Sequence, residues 1–219
     1  MSSGPNNFNA LAAHYRWLEF IIFGYSLERC RYRLINHLSK AERVLIIGEG
    51  DGRFLSKLVN RFPGIKVDCI EGSSRMIAQA RRRLPDEADV NFLHVNALDW
   101  KYPVKKYDAI ITCFFLDCFK ERTLREWMPK IASSLGDNGE WLVTEFRELN
   151  GGVRGLVSYV LIKIMYCFFR RITNLEASSL PDWPAIFRAN GLSQSEVFEN
   201  ESSMINFTIW RWGKCSQNS

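Results

Sequence analysis

Hydrophobic and polar residues change their spacing along the chain, and each spacing predicts a different kind of element. Between residues 8 and 38, apolar and aromatic side chains recur every three or four positions, which predicts a helical N-terminal cap. Residues 44–47 then form an unbroken apolar run, which is typical of a strand buried on both faces of a parallel sheet. The chain therefore begins with helix and changes to strand near residue 43.

Strand and helix patterns alternate over the next hundred or so residues, as expected for an α/β domain. Strands are predicted at 44–48, 66–71, 90–95, 108–113 and 140–146. Helices are predicted at 53–61, 74–84 and 124–135. This alternation predicts a parallel sheet with right-handed crossovers and helices on its faces.

The C-terminal third departs from this alternation. Glycines 151 and 152 precede an apolar helix that extends to about residue 171, and a shorter helix is predicted at 182–190. Two strands at 194–199 and 204–212 flank a polar turn and predict a β-hairpin, which makes the seven-stranded sheet mixed. We expect one α/β domain with a cap at 8–38, a core at 43–150, a helical insertion at 151–192 and a hairpin at 193–212.

Composition and charge narrow the class of protein. The chain has 219 residues, of which 47% are hydrophobic and 24% charged, so bulk disorder is excluded. The net charge of +5 permits an anionic partner without requiring one. The six cysteines form no C-x-x-C pair and no zinc-type cluster, and residues 1–10 lack the features of a secretory signal. We therefore expect reduced cysteines, no metal site and a cytoplasmic location.

The most informative segment is the loop after the first predicted strand. Gly48, Gly50 and Gly52 occupy alternate positions there, where glycine lets the backbone turn tightly and a ligand approach it. The dinucleotide fingerprint G-x-G-x-x-G needs a third small residue where this chain has Arg53. Glu49 also lies where a pyrophosphate would have to bind, and a carboxylate repels phosphate. A ligand with a cationic centre therefore fits this loop better than NAD or FAD.

A second acidic residue strengthens this interpretation. Glu71 ends the second predicted strand about twenty residues after the loop, where a carboxylate can accept hydrogen bonds from ribose hydroxyls. The alternative is an acid at a helix N-terminus, stabilised by the helix dipole. Together, the glycine loop and the acid at the strand end predict a ligand that carries a ribose.

These residues resemble a known family. The stretches VLIIGEGDG, IEGSSRMIAQARRRL, FLHVNALDW and YDAIITCFFLDCF resemble the first four motifs of the class I S-adenosylmethionine-dependent methyltransferases, and the resemblance extends over nearly the full length. It implies a Rossmann-like sheet whose final strand is antiparallel, with S-adenosyl-L-methionine as the cofactor. Residues 8–31 are similar to the N-terminal cap of the ubiquinone/menaquinone C-methyltransferase branch. The second half matches that branch less well, so a quinone acceptor does not follow.

The resemblance implies cofactor-binding roles for residues at the strand ends. The methionine part of the cofactor would contact Gly48, Glu49, Gly50 and Gly52, and the ribose would contact Glu71. The adenine would contact Gly72, Ser73, Asn96 and Ala97. Cys113 would line the path of the methyl group, and Tyr15 of the cap would pack over the cofactor. Asn96 stands where the family usually has Asp. This replacement keeps an acceptor oxygen and loses a charge.

Methyl transfer from a sulfonium is an in-line displacement with a neutral leaving group, so positioning and desolvation can supply much of the catalysis. A hydroxyl, thiol or enol acceptor still benefits from a base. The candidates are Asp117 after the fourth strand, Glu145 at the end of the fifth and His14 in the cap. Each has a structural alternative: helix capping or ion pairing for Asp117, a purely structural role for Glu145 and packing for His14.

The apolar insertion after the fifth strand indicates which class of methyl acceptor the protein binds. An apolar helix at 156–171 would cover the acceptor site and indicates a small hydrophobic or aromatic acceptor, whereas a plain core helix is the alternative. Its about fourteen apolar residues are too few to span a membrane. Arg170 and Arg171 would still permit transient contact with anionic lipid.

Two competing functions stay open alongside methyl transfer. One is a nicotinamide-dependent oxidoreductase, and the other is a non-catalytic partner or lipid-surface protein that keeps a cofactor-type fold. Nucleic-acid methylation is disfavoured, because the chain has Cys-Phe-Phe-Leu at 113–116 and no N-P-P-Y-type tetrapeptide there. A separate basic recognition domain is not predicted either. The pattern leaves the oligomeric state open.

Overall fold

The computed structural model describes residues 34–149, 151–173, 177, 179–199 and 204–213. Most of the predicted cap, including the candidates His14 and Tyr15, lies outside these residues. The polar turn predicted between the two hairpin strands also lies outside them. A short 3₁₀ helix at Asn36–Lys40 leads into the first strand.

The described part of the chain alternates strand and helix and then ends in two strands. The strands are β1 (Arg43–Ile47), β2 (Lys66–Ile70), β3 (Val90–Leu93), β4 (Tyr107–Cys113), β5 (Leu135–Phe146), β6 (Leu192–Glu199) and β7 (Ile205–Trp212). The helices are α1 (Arg53–Arg61), α2 (Ser74–Arg81), α3 (Glu121–Ala132), α4 (Gly152–Thr173) and α5 (Trp183–Ala189).

The strands form one seven-stranded sheet in the order β3-β2-β1-β4-β5-β7-β6. The pairs β1–β2, β1–β4, β2–β3 and β4–β5 are parallel. β7 is antiparallel to both of its neighbours, β5 and β6. The predicted mixed sheet with an antiparallel C-terminal strand is thus confirmed. The strand order reverses between β1 and β4, and ligands of open α/β sheets bind at such a switch point, beyond the carboxyl ends of the strands.

The apolar run of β1 is explained by burial on both faces of the sheet. Leu45 and Ile47 belong to one hydrophobic cluster, which includes Trp127 of α3 and Phe187 of α5. The alternate β1 residues belong to a second cluster on the other face, together with α1 and the 3₁₀ helix. Because side chains alternate along a strand, a strand that lies between two helical layers needs apolar residues at every position.

Two predicted boundaries around β5 are wrong. The helix predicted at 124–135 is Glu121–Ala132, and the strand predicted to start at 140 begins at Leu135. The polar stretch 136–139 lies inside the span of β5, where the register with β4 changes from Tyr107↔Leu135 to Ala109↔Glu140. A Cβ atom on Gly139 would lie 2.6 Å from Leu135 Cδ1, so glycine is required for this irregularity. Because the stretch 136–139 is polar and contains two glycines, its sequence pattern is typical of a turn although it lies within β5.

Helix α4 lies beyond the carboxyl end of β5 and buries only part of its surface. Ile162 and Tyr166 are 2% exposed and pack in a small cluster with Ala177 and Phe146. Several large apolar side chains on the same helix are exposed: Val153, Leu156, Val157, Tyr159, Val160 and Ile164. Within the described ranges, no helix has the length and apolar content that crossing a membrane requires.

Candidate functional site

The three glycines after β1 adopt positive φ angles, and each therefore favours a residue without a Cβ atom. The angles are 73° at Gly48, 78° at Gly50 and 85° at Gly52. A Cβ atom on Gly48 would overlap the ring of Phe115, whose Cε2 lies 2.8 Å away, and one on Gly52 would lie 2.6 Å from the Cβ of Ala80 in α2. A Cβ atom on Gly50 would meet nothing within 4 Å. Gly48 and Gly52 thus permit close packing, whereas Gly50 borders open space that a ligand can enter.

Glu71 is held directly against this loop. One carboxylate oxygen accepts the N–H of Gly50 at 3.0 Å and the other accepts the N–H of Ser73 at 2.9 Å. The side chain is 8% exposed, and burial raises the pKa of its carboxyl group, an effect that these backbone N–H groups and nearby His94 oppose. Each carboxylate oxygen has a further lone pair, so Glu71 can also accept hydrogen bonds from a diol.

Glu49 adds a second carboxylate beside the loop. Its Oε1 accepts the N–H of Leu55 at 3.0 Å and so satisfies a donor in the first turn of α1. The pKa of the Cys69 thiol is raised well above its usual value by burial and, to a smaller extent, by the charges of Glu49 and Glu71. Two negative charges therefore converge on this part of the site, which favours a cationic ligand group over a phosphate.

Arg53 occupies the position of the third small residue in the dinucleotide fingerprint. Its Nε lies 3.0 Å from the carboxylate of Asp51, and Arg83 Nη2 lies 3.2 Å from the same oxygen. Asp51 thus neutralises the positive charge of Arg53 and Arg83, to which a phosphate could otherwise bind. This arrangement does not favour the nicotinamide-dependent alternative.

The residues expected to line an adenine pocket lie at the ends of β2 and β3. The hydroxyl of Ser73, which is 1% exposed, accepts the N–H of Met76 at 3.2 Å and caps α2. The carbonyl oxygen of Gly72 lies 3.1 Å from Nε2 of His94, a residue directly after β3. Sequence reasoning missed His94, although its position at the carboxyl end of a parallel strand was a usable signal.

Asn96 and Ala97 follow β3 in a tight turn. The Oδ1 atom of Asn96 accepts the N–H of Leu98 at 3.1 Å, and its Nδ2 donates to Asp99 at 2.9 Å. The carbonyl of buried Ala97 accepts the indole N–H of Trp127 at 2.9 Å. The side chain of Asn96 therefore shapes the turn, and its proposed contact with adenine stays a prediction.

Cys113 ends β4 and leads into a turn that sequence reasoning did not single out. Cys113 is half-buried and packs beside Phe114 and Phe146. The ring of Phe115 lies against Gly48 and forms aromatic contacts with Phe119 at 5.2 Å between centroids. Two adjacent phenylalanines directly after a buried strand were the available signal.

The two acidic candidates for a base lie next to each other under this turn. Asp117 is 5% exposed and Glu145 is 0% exposed. Burial raises the pKa of Asp117 to about 6, and burial together with the neighbouring Asp117 charge raises the pKa of Glu145 well above its usual value. Both carboxyl groups are therefore shielded from solvent. A catalytic role for either residue stays a prediction.

Helix α4 contributes a contact and a groove on this side of the molecule. The hydroxyl of Tyr166 donates a hydrogen bond of 3.0 Å to the carbonyl of Asp117. Near the start of the helix, a groove of about 340 Å³ is lined by Leu149, Val153, Arg154, Val157, Ser158 and Met204. An apolar surface with one guanidinium group can accommodate an apolar molecule that carries a negative or polar group.

The structure thus brings most of the predicted site residues together. Glu71 joins the glycine loop to Ser73, and Phe115 joins that loop to the turn above Asp117 and Glu145. Over the ranges that the structure describes, no group of three or more His, Cys, Asp or Glu side chains could hold a metal ion.

Comparison with known families identifies the central part of the chain. Residues 44–139 match a family described as "Methyltransferase domain". This segment begins in β1 and extends into β5, so it contains the glycine loop, Glu71 and the turn after β4. The predicted cofactor-binding core and the matched segment therefore largely coincide.

Two curated relatives and one solved structure extend the match. The chain is 36% identical over 77 residues to a malonyl-[acyl-carrier protein] O-methyltransferase of Ilyobacter polytropus, which is 35% of this chain and 28% of that protein. It is 29% identical over 153 residues to the demethylmenaquinone methyltransferase of Thermus thermophilus, covering 68% of this chain and 69% of that protein. A solved complex of DhpI with SAH has the same fold, with a TM-score of 0.65, 17% identity and 94% of each chain covered.

Proposed function

We propose that this chain is a class I S-adenosylmethionine-dependent methyltransferase, as its matches support, and that it transfers a methyl group by in-line displacement to a small hydrophobic or aromatic acceptor. The observation that carries this proposal is the contact between Glu71 and Gly50. It places a buried carboxylate beside the one glycine of the loop at which a Cβ atom would meet nothing within 4 Å.

The residues present fit the cofactor, S-adenosyl-L-methionine. The open space at Gly50 allows close approach to the backbone, and the Glu71 carboxylate has lone pairs for the two ribose hydroxyls. Glu49 and Glu71 supply negative charge that suits a cationic sulfur and an amino group. When bound, the cofactor supplies a methyl group on a positively charged sulfur, which becomes neutral as the methyl group leaves.

The chain contributes to the reaction mainly by positioning and by excluding water. Phe115 covers the first glycine of the loop and is continuous with an aromatic cluster that includes Phe119 and Trp127. Phe115 thus provides an apolar wall on the β4 side of the crevice, and the two buried rings pack behind it. By excluding water from the crevice, Phe115 would favour a reaction in which a positive charge is neutralised or dispersed.

The acceptor class is inferred from this chain's own residues. The two curated relatives are named for different acceptors, malonyl-[acyl-carrier protein] and demethylmenaquinone, and the first is matched over only 28% of its length. The apolar groove beside α4, which Arg154 borders, supports a hydrophobic acceptor with a polar or anionic group. The matches to methyltransferases do not favour an oxidoreductase or a non-catalytic protein.

Transient contact of α4 with a membrane surface is the second part of the proposal. Leu156 and Ile164 are more than half exposed, at 65% and 56%, and the Lys163 ammonium lies 5.4 Å above the ring of Tyr159. Exposed apolar side chains beside basic residues are typical of helices that lie at a membrane surface. Such a contact would give the enzyme access to an apolar acceptor.

Calorimetric titration with S-adenosylmethionine, S-adenosylhomocysteine and NADH tests the proposed activity. We expect the two sulfur ligands to bind in the micromolar range and NADH not to bind. The Glu71→Ala variant should lose this binding, whereas Glu126→Ala, which removes a surface glutamate of α3 paired with Arg122, should retain it. Failure of the unmodified protein to bind either sulfur ligand would contradict the proposal. A labelled methyl donor incubated with metabolite extracts would then identify the acceptor.

A further inference from the structure

We propose that Glu145 is a positioning residue that holds Phe115 against the glycine loop and thereby sets the affinity for the methyl donor. The inference deepens the proposed function and rests on it, because it concerns how the same site binds its cofactor. Glu145 acts through the turn after β4, and Asp117 and Tyr166 support that turn from two other directions.

The turn has an unfavourable backbone conformation that must be enforced by its surroundings. Phe114 has a φ of 53°, in the left-handed region that bulky residues rarely adopt. Such a conformation persists only where neighbouring contacts determine it, and it is often found at functional sites. The neighbours that enforce it here belong to β5.

Three successive N–H groups of the turn are bound by β5. Phe114 donates to the carbonyl of Thr144 at 2.8 Å. Phe115 and Leu116 then both donate to Glu145 Oε1, at 3.0 Å and 2.8 Å. A single buried carboxyl oxygen therefore sets the direction of the backbone at the position from which the Phe115 side chain extends.

Phe115 transmits this constraint to the cofactor loop. Its ring occupies the space that a side chain on Gly48 would need, and it is braced from behind by Trp127 at 5.8 Å between centroids. The Phe115 side chain is half-buried, so part of it faces the crevice. If the turn relaxed, the ring would leave Gly48 and the loop would lose one wall.

The second carboxyl oxygen of Glu145, Oε2, lies in the buried region that Glu145 shares with Asp117. Among the described residues, Glu145 Oε2 is buried without a hydrogen-bond partner. Two adjacent buried carboxyl groups do not both ionise, so the pair shares a proton, and a protonated carboxyl group can donate a hydrogen bond to its neighbour. Burying a carboxyl group costs free energy unless hydrogen bonds compensate for the lost water. The pair is therefore better explained by the geometry that it imposes than by added stability.

Polar side chains from the turn after β4, from α4 and from β7 surround Asp117 and Glu145. Cys118 Sγ lies 3.6 Å from Asp117 Oδ1 on the turn itself. Tyr166 of α4 donates to the Asp117 carbonyl, and Asn206 of β7 is opposite Glu145 in the strand register. The turn is thus attached to β5 and to α4.

Substitutions at Glu145 separate positioning from catalysis by a base. Glu145→Gln keeps an oxygen that can accept both N–H groups, so we expect its Kd for S-adenosylhomocysteine to stay within about twofold of the unmodified protein and its kcat to be retained. Glu145→Leu removes that acceptor and should raise this Kd at least about tenfold, which is about 1.4 kcal/mol. Glu140→Leu is the control, because Glu140 lies on the same strand and pairs with Arg211 outside the site.

A second substitution tests whether Glu145 acts through Phe115, and it keeps the inference testable if Glu145→Leu fails to fold. Phe115→Ala should weaken S-adenosylhomocysteine binding by a similar factor, and Glu145→Leu combined with Phe115→Ala should add little further loss. Unchanged binding by either single variant overturns the inference, as does loss of turnover in Glu145→Gln with binding intact. If the unmodified protein does not bind the ligand at all, the proposed function fails instead.

Discussion

Glu71, at the carboxyl end of β2, and Gly50, in the loop after β1, are joined by a hydrogen bond of 3.0 Å from the backbone N–H to Oε2. The acid expected to bind the ribose is therefore held directly against the glycine beside open space. A site already assembled in this way spends little binding free energy on ordering. The glycines around this contact have different roles, and substitution can separate them.

Gly52→Ala and Gly50→Ala should have different main effects, on stability and on ligand binding respectively. Both positions have positive φ, so alanine should destabilise each by about 1–2 kcal/mol, and at Gly52 the added Cβ would also collide with Ala80. We expect Gly52→Ala to lose the larger part of its free energy of unfolding. Gly50→Ala should instead mainly weaken S-adenosylhomocysteine binding, because its Cβ would project into the open space.

Urea unfolding and ligand titration measure these two effects separately. Gly64→Ala is the matched control, since a Cβ there meets nothing within 4 Å. If Gly50→Ala bound the ligand as well as Gly64→Ala does, the open space at Gly50 would not be the cofactor site.

The stability of the protein should fall as pH rises through the titration range of Asp117. Burial raises the pKa of this carboxyl from 3.8 to about 6, so the folded chain binds more protons than the unfolded chain over that interval. The stability of the folded state is therefore greatest below the lower value and decreases up to the higher one, by about 2–3 kcal/mol in total. Hydrogen bonds from Cys118 and Glu145 lower the pKa of Asp117 and offset only part of this effect of burial.

Asp117→Asn tests this pH dependence, because an amide does not titrate. Urea unfolding at about pH 4 and about pH 8 should show a smaller loss of stability for the variant than for the unmodified protein. The variant should also be the more stable of the two at the higher pH. Asp137→Asn removes an exposed carboxylate that pairs with Lys105 and should leave the difference between the two pH values unchanged. An unaltered pH difference in Asp117→Asn would refute the prediction.

Tyr166→Phe should loosen the connection between α4 and the turn after β4. The substitution removes only the hydroxyl that donates to the Asp117 carbonyl, and we expect a loss of about 1 kcal/mol. Amide hydrogen exchange should become faster in both α4 and residues 114–118. Tyr159→Phe, on the exposed side of the same helix, should leave exchange unchanged. Faster exchange in α4 without any change in the turn would show that the two are not coupled.

Membrane contact predicts a specific effect of the exposed face of α4. Replacing Leu156 and Ile164 with serine removes apolar area that would be buried in the lipid headgroup region, at about 25 cal/mol per Å². We therefore expect co-sedimentation with phosphatidylserine vesicles to decrease in this double variant. Val104→Ser removes an apolar side chain that is 72% exposed outside α4 and should not change sedimentation. Equal vesicle binding by the two variants would rule out α4 as the contact surface.

Local sequence patterns predict the order of strands and helices and nominate the residues proposed to bind the cofactor. The run 44–47, the glycines after it and Glu71 are recognisable because burial on both faces, backbone freedom and a strand-end acid leave local signals. These features depend on residues close together in the chain. The mixed sheet followed from the same local patterns and was confirmed.

The contacts that hold the turn after β4 are visible only in the folded chain. Glu145 binds the N–H of Phe115 across 30 positions of sequence, and Tyr166 binds the Asp117 carbonyl across 49. These contacts depend on strand register and on the placement of α4, to which no local pattern corresponds. The stretch 136–139 has no strand pattern, because its residues have no partners in β4, and it falls within the span of β5 only through the flanking pairs Tyr107–Leu135 and Ala109–Glu140. Sequence analysis names Asp117 and Glu145 as two separate candidates for a base, whereas contacts between distant segments bring them together as one buried pair.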